Sequence, residues 1–285
     1  MTMQISIAAN GINVIGNCAG VFLLRMGAAG VAWPSLLSRI LSAALVTAYC
    51  FWKDCPVRYR AGDIFAWDGR LLKKVMGIVL PNGVENGVHQ LVKVALSSMV
   101  ALFGTYQIAA NGVAQSIWSL AAIMGLAMAP VYTTVIGQCM GTRDIDAATF
   151  YFKKLNRITL ALSILWNALI FAITPLIVRY SAISPEAKTL VIRLVLINNV
   201  FNGLAYPFAG PLGKGLRAAG DIRFTMLVSI ALTIGARLFF SALFGRQLGL
   251  GVIGVAIGMS IDLVFRGAIF LWRLKSQKWT RFRLI

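Results

Sequence analysis

Stretches of about twenty apolar residues recur along this chain from end to end, and no other feature limits its fold so tightly. A helix of that length crosses the hydrocarbon core of a bilayer. Eight such stretches can be drawn, over residues 4–24, 29–52, 75–103, 107–138, 158–178, 189–212, 224–245 and 251–272. Only 13% of the residues are charged, against about a quarter in a soluble domain. The runs are continuously apolar and too long for barrel strands. The expected fold class is therefore all-α: a polytopic membrane helix bundle with eight transmembrane helices.

The formal charge is +18, from 27 Lys and Arg against 9 Asp and Glu. Its placement argues against nucleic acid as a partner, because the basic residues cluster in alternate connections. They fall at Lys53, Arg58, Arg60, Arg70, Lys73 and Lys74, then Arg143, Lys153, Lys154 and Arg157. Lys214, Arg217 and Arg223 follow, and then the tail from Arg273 to Arg283. This is the asymmetry that keeps basic loops in the cytoplasm. It predicts a multi-pass protein of the plasma (cytoplasmic) membrane with both termini cytoplasmic and the lipid bilayer as its main partner. Cys18, Cys50, Cys55 and Cys139 form no CxxC pair, and the chain has one histidine. Free thiols are expected, with no metal site. The start lacks the basic n-region and cleavage site of a signal peptide.

The longest polar interruption, 53–74, separates two helices from six and is expected to be a cytoplasmic linker. Trp67 and the run Leu71–Lys74 suggest a short interfacial helix there. An internal repeat is visible as well: Gly27-Ala-Ala-Gly-Val-Ala32 opens the second span and Gly251-Val-Ile-Gly-Val-Ala256 opens the last. Each follows a helix ending in a basic residue, Arg25 or Arg246, and each has another arginine within its span, Arg39 or Arg266. If helices one and two repeat as seven and eight, the unit has six helices and the chain opens four helices into its first copy. The expected domains are 1–52, the last two helices of a first lobe; 53–74, the linker; and 75–285, a complete second six-helix lobe with a basic tail. Parallel repeats of this kind are a transporter signature.

Chemistry concentrates in the third span. Glu85, His89 and Lys93 follow i, i+4, i+8 spacing and share one side of a helix. A charge at bilayer depth costs about 2.5–3.5 kcal/mol on insertion scales and ordinarily faces a bundle interior or wet cavity. Glu85 and His89 are the candidate cation- or proton-binding groups, since a free imidazole titrates near about 6.5. Lys93 is a candidate for the substrate cavity. Pro81 is expected to bend this helix, with Gly83 and Gly87 allowing close packing. Asn198 and Asn202 share a face of the sixth span and are candidates to line the cavity; interhelical hydrogen bonding is the alternative, as it is for Asn10, Asn13 and Asn17. Asp262 and Arg266 stand at i, i+4 and read as a structural charge pair. Arg39 and Arg237 need partners elsewhere. In the connection 215–224, Gly220-Asp221 suits a turn with Asp221 capping the next helix. No P-loop, GxSxG or HExxH occurs, so the chain does not read as an enzyme.

At these residues the chain resembles the MATE (multidrug and toxic compound extrusion) transporters over nearly its full length. Pro81-Asn-Gly-Val-Glu-Asn86 and Gln90-Leu-Val-Lys93 are similar to the seventh helix of that family. Phe103-Gly-Thr105 and Ile108-Ala-Ala-Asn-Gly-Val-Ala-Gln115 resemble its eighth, and Leu216-Arg-Ala-Ala-Gly-Asp-Ile-Arg-Phe-Thr-Met226 resembles the stretch after its tenth. The resemblance implies helices five to twelve of a twelve-helix, two-lobe fold. It also implies efflux of drugs or organic cations by alternating access, in exchange for sodium ions or protons and with no cofactor. Two departures stand out. Where many members place the seventh-helix acid, this chain has His89; where many have a tenth-helix acid, it has asparagines.

The expectation from the sequence is thus a secondary active efflux transporter, amino-terminally truncated, with a small organic or cationic substrate and with the missing helices as a further partner. The alternatives are a lipid-linked precursor flippase of related fold, or a fragment without function of its own.

Overall fold

The computed structural model describes residues 2–51, 68–181 and 183–281, and every regular element among them is helical. The polar stretch 53–67 of the expected linker, with Cys55 and Trp67, lies outside the described residues. Cys18, Cys50 and Cys139 are free thiols. The chain divides into two compact units, Met1–Leu72 and Lys73–Ile285.

The first unit is a helical hairpin. Helix α1 (Thr2–Cys18) loosens into a π-helical turn, Ala19–Leu23, and α2 (Ala29–Phe51) returns beside it. The crossing depends on small residues, since a Cβ on Gly20 or Gly30 would strike the backbone of the other. Asn13 donates to Ser35 and Ser38, both at 3.1 Å, and Asn17 donates to Asn13. Interhelical bonding therefore occupies this part of the asparagine stripe. Much of the remaining surface is exposed and apolar, as at Ile15 and Phe22 (71% and 78% exposed), which suits contact with lipid.

The second unit opens within α3 (Gly69–Ala101), so residues 71–74 form the first turns of a long helix that continues unbroken through Pro81. Neither Gly83 nor Gly87 has a close neighbour that a Cβ would meet, so the close packing expected at them is not there. Helices α4 (Thr105–Ala121) and α5 (Ile123–Gly141) follow, and then α6 (Ile145–Tyr180), whose start is capped by the Asp144 carboxylate accepting from the Ala147 amide at 2.8 Å. Helix α7 (Pro185–Leu204) has Ser184 as its cap and Pro185 in its first turn. It meets the short α8 (Tyr206–Ala209) and α9 (Pro211–Ala218) at a 54° bend. The chain then runs through α10 (Ile222–Ala231), a π segment Leu232–Leu238, α11 (Phe239–Ala242) and a second π turn Leu243–Gln247. Helix α12 (Val252–Lys275) follows, and then a 3-10 turn, Lys278–Arg281.

Asp221 stands at the start of α10 without capping it, because its carboxylate accepts from Arg273 Nε at 2.6 Å instead. An arginine in contact outcompetes a backbone amide for a buried carboxylate. Two apolar clusters are stacked along α6 and α12. One gathers Val92, Ala114, Ile170, Val191 and Val255, and the other Tyr132, Phe152, Leu212, Phe270 and Trp279.

The described helices that are long and apolar enough to cross a membrane number six, or seven if the bent α7–α9 element is one span. The fold is a membrane helix bundle. Helix α3 has 33 residues and is long enough to cross, but it is not among those six, and its apolar stretch is interrupted by Glu85, His89 and Lys93.

The sequence repeat has a structural counterpart. The offset from Gly27 to Gly251 is 224 residues, and both glycines have φ near +57°, a conformation that costs other residues a Cβ clash. The same offset carries the π turn Ala19–Leu23 onto Leu243–Gln247. It also carries the bond from Leu24 N to Ala19 O onto Leu248 N to Leu243 O, and that from Met26 N to Gly20 O onto Leu250 N to Phe244 O. The flanking arginines do not follow it, for Arg39 falls opposite Leu263. At Gly254 an added Cβ would meet the backbone of Phe244 and Gly245. Gly254→Ala should therefore lower stability by about 1–3 kcal/mol, while Gly83→Ala is neutral or stabilising by up to about 1 kcal/mol. Thermal unfolding of the purified chain in detergent measures both.

Candidate functional site

Between the two apolar clusters of the second unit lies a cavity of about 500 Å³. That is the size of sites for drug-sized ligands. Helix α3 supplies one wall, with Glu85, His89 and Lys93 all on the lining. The i, i+4, i+8 stripe therefore lies along the cavity, with Glu85 buried, His89 half-buried and Lys93 exposed at its edge, as the cost of charge in lipid favours. Helix α9 supplies Lys214 and Arg217, the π segment Arg237, and α12 Asp262 and Arg266. Trp118, Tyr206 and Phe270 form aromatic parts of the lining, and Leu96, Val100 and Met259 aliphatic ones.

Two polar networks meet at the stripe. In the first, Arg217 Nη2 reaches both Glu85 carboxylate oxygens at 2.5–2.6 Å, with the two side chains only 14% and 11% exposed. Arg217 also donates through Nη1 to Asn82 Oδ1 at 2.8 Å and through Nε to the Thr225 hydroxyl at 3.2 Å. The guanidinium thus bridges α3, α9 and α10. Small residues let α9 approach: Gly213 lies under the Phe270 ring, and Gly215 under Phe152 and Tyr132.

In the second network, Arg266 Nη2 contacts both Asp262 oxygens at 2.7 and 2.8 Å, one helical turn apart on α12. The same nitrogen donates to the Thr233 hydroxyl at 2.8 Å. Thr233 in turn lies 3.2 Å from His89 Nδ1, where it is free to donate its proton. Arg237 Nε stands 3.6 Å from Asp262, close enough for charge attraction but too far for a hydrogen bond. Asp262 is 1% exposed, so one buried carboxylate balances two guanidiniums.

The structure thus brings Glu85, His89, Lys93, Asp262 and Arg266 to one cavity. The described lining does not include Asn198 or Asn202. Asn202 is buried and donates to Asn167 Oδ1 at 3.1 Å, and Asn199 donates weakly to the Asn167 carbonyl at 3.5 Å. That face of α7 is turned to α6.

The residues missed in the sequence are Lys214 and Arg217, which were counted only among the basic residues of a connection. Their i, i+3 spacing just after Pro211 was the available signal for a helix face. Arg237 finds its partner in Asp262, 25 residues away and beyond the reach of any local rule.

The family model MatE matches residues 81–243, more than half of the chain. The chain belongs to the MatE family. Over 98% of its length it is 24% identical to the uncharacterized transporter YisQ of Bacillus subtilis, of which it spans 62%. Over 90% it is 22% identical to the probable multidrug resistance protein NorM of Thermotoga maritima, spanning 55%. Its fold matches the outward-facing conformation of a multidrug resistance MATE family transporter of the MOP superfamily. That match has a TM-score of 0.85 at 22% identity, covering 96% of this chain and 62% of the other. The chain therefore spans about 60% of the length of these relatives.

The two networks should differ in their tolerance of change. Asp262→Ala leaves Arg266 and Arg237 buried without a carboxylate and should cost about 3–5 kcal/mol. Glu85→Gln keeps an acceptor for Arg217, which also retains Asn82 and Thr225, and should cost about 1 kcal/mol. Denaturation midpoints of the two purified variants test the contrast.

Proposed function

We propose that this MatE chain supplies helices five to twelve of a two-lobe secondary transporter. Such a protein exports drug-like organic solutes by alternating access in exchange for sodium ions or protons. Counting α3, α4 with α5, and the bent α7–α9 each as one span gives eight crossings, with both termini cytoplasmic. Residues 1–52 are then the end of the first lobe and 75–285 the second. The repeated π turn and positive-φ glycine support this division, because the same helix-end geometry recurs in both units. The relatives are transporters rather than enzymes.

The observation that carries the reading is the Glu85–Arg217 pair on the wall of a cavity inside a membrane bundle. A proton or sodium ion arriving at Glu85 competes directly with Arg217. Once the carboxylate is neutralised the ion pair is lost, and the guanidinium ties α9 and α10 to α3 mainly through its bond to Asn82. Those elements are then free to take their second position. His89, joined through Thr233 to Arg266, lies one turn further along the same wall and links the second network to the same event. Lys93 faces the substrate volume.

The test is Glu85→Gln in a complete two-lobe transporter expressed in a drug-sensitive bacterial host. Resistance should fall to the level of cells without the protein while membrane abundance stays unchanged. Full resistance in the variant rules out Glu85 as the coupling group.

A further inference from the structure

The cavity's charge is of the wrong sign for an organic cation. Five cationic side chains line it, Lys93, Lys214, Arg217, Arg237 and Arg266, against the carboxylates of Glu85 and Asp262. With His89 neutral, the formal excess is three positive charges. Neither carboxylate is left unpaired for an organic cation, since Glu85 is held by Arg217 and Asp262 by Arg266, with Arg237 drawn in at 3.6 Å. The two lysines are in the opposite position. Among the described residues, Lys93 and Lys214 make no ion pair and no hydrogen bond; both are exposed and border the cavity, so their ammonium groups are open to a ligand. Arg237 Nε and Arg266 Nε are buried N–H donors without an acceptor. A buried donor left unmatched is costly, so the Asp262 carboxylate is already outnumbered by its guanidinium partners.

The rest of the lining sets the ligand's other half. Trp118, Tyr206 and Phe270 offer ring faces, and Leu96, Val100 and Met259 an apolar wall. A fully hydrated inorganic ion would leave that surface unused.

We propose that the second-lobe cavity binds organic anions: molecules that carry a carboxylate or phosphate group on an apolar or aromatic body. The anionic group sits between Lys93 and Lys214, and the body lies against the aromatic lining. The proposal rests on the transporter reading and gives that site its substrate class. The anionic group can arrive on a soluble molecule or on a lipid headgroup. Both present the same chemistry to the lysines.

The test is equilibrium binding to the purified full chain in phosphatidylcholine nanodiscs. Phenyl phosphate and salicylate serve as anions, and tetraphenylphosphonium as a cation with comparable aromatic surface. Both anions should bind saturably and compete with each other, and tetraphenylphosphonium should bind at least tenfold more weakly. Lys93→Gln with Lys214→Gln should weaken phenyl phosphate binding at least tenfold, as expected for lost charge-assisted hydrogen bonds. The double Lys→Arg variant, which keeps both charges, should retain it. Displacement of phenyl phosphate when phosphatidylglycerol replaces phosphatidylcholine identifies the lipid source; undiminished binding identifies the soluble one.

Absence of saturable anion binding overturns the proposal. So does cation binding as tight as that of the anions, or an unchanged affinity in the Lys→Gln pair. Tight tetraphenylphosphonium binding would leave the transporter reading standing and remove only the anion. Loss of the transporter reading would instead show in the resistance assay of Glu85→Gln.

Discussion

The Asp262 carboxylate organises the second unit. It is nearly fully buried, held in two contacts by Arg266 and attracted by Arg237. Removing one such charge from water costs several kcal/mol, and the cost is recovered only where opposite charge and hydrogen bonds converge. That requirement sets the distance between α12 and the π segment. It also fixes Thr233 against Arg266, and through Thr233 it fixes His89 on α3. The π geometry at Leu232–Leu238 places Thr233 and Arg237 on the same side as α12. Widened turns of this kind commonly occur at functional sites.

Around this centre the bundle is layered. Apolar clusters lie toward each end of α6 and α12, and the charged side chains sit between them in a cavity rather than facing lipid. The arrangement lets the unit hold seven titratable or permanently charged groups and His89 around one cavity. Each charge there is either paired or opens onto the cavity. The first unit solves the same problem with neutral groups. At the 224-residue offset, Asn13 stands where the second unit has Arg237, and Ser38 where it has Asp262; the Asn13–Ser38 hydrogen bond at 3.1 Å replaces the ion pair. One helix-hairpin geometry thus carries a polar bond in one copy and a charge pair in the other.

Much of this was legible in advance where the rule was local. The i, i+4, i+8 stripe of Glu85, His89 and Lys93 fixed which face of α3 turns inward. The contact between Asp262 and Arg266 lies within one helical turn. The glycine-led repeat pointed to a geometry that the backbone then displays, down to the +57° φ of Gly27 and Gly251. Readings that depended on a distant partner fared differently. Asp221 has the composition of a cap but binds Arg273, 52 residues on. Asn202 has the composition of a cavity group but is turned toward Asn167. Gly83 and Gly87 look like packing residues yet meet nothing.

The sequence alone determined that the chain is a membrane helix bundle, because twenty-residue apolar runs have few other folds, and that charge would collect on one side of the third span. It also carried the repeat, since a positive φ is a local demand that glycine meets by lacking a Cβ. Only the tertiary structure decided the sign of the cavity. Lys214, Arg217, Arg237 and Arg266 lie on three separate elements, and the balance of charge depends on which of them spend themselves on Glu85 and Asp262. Pairing of that kind is set by distance in space, and helix periodicity says nothing about it.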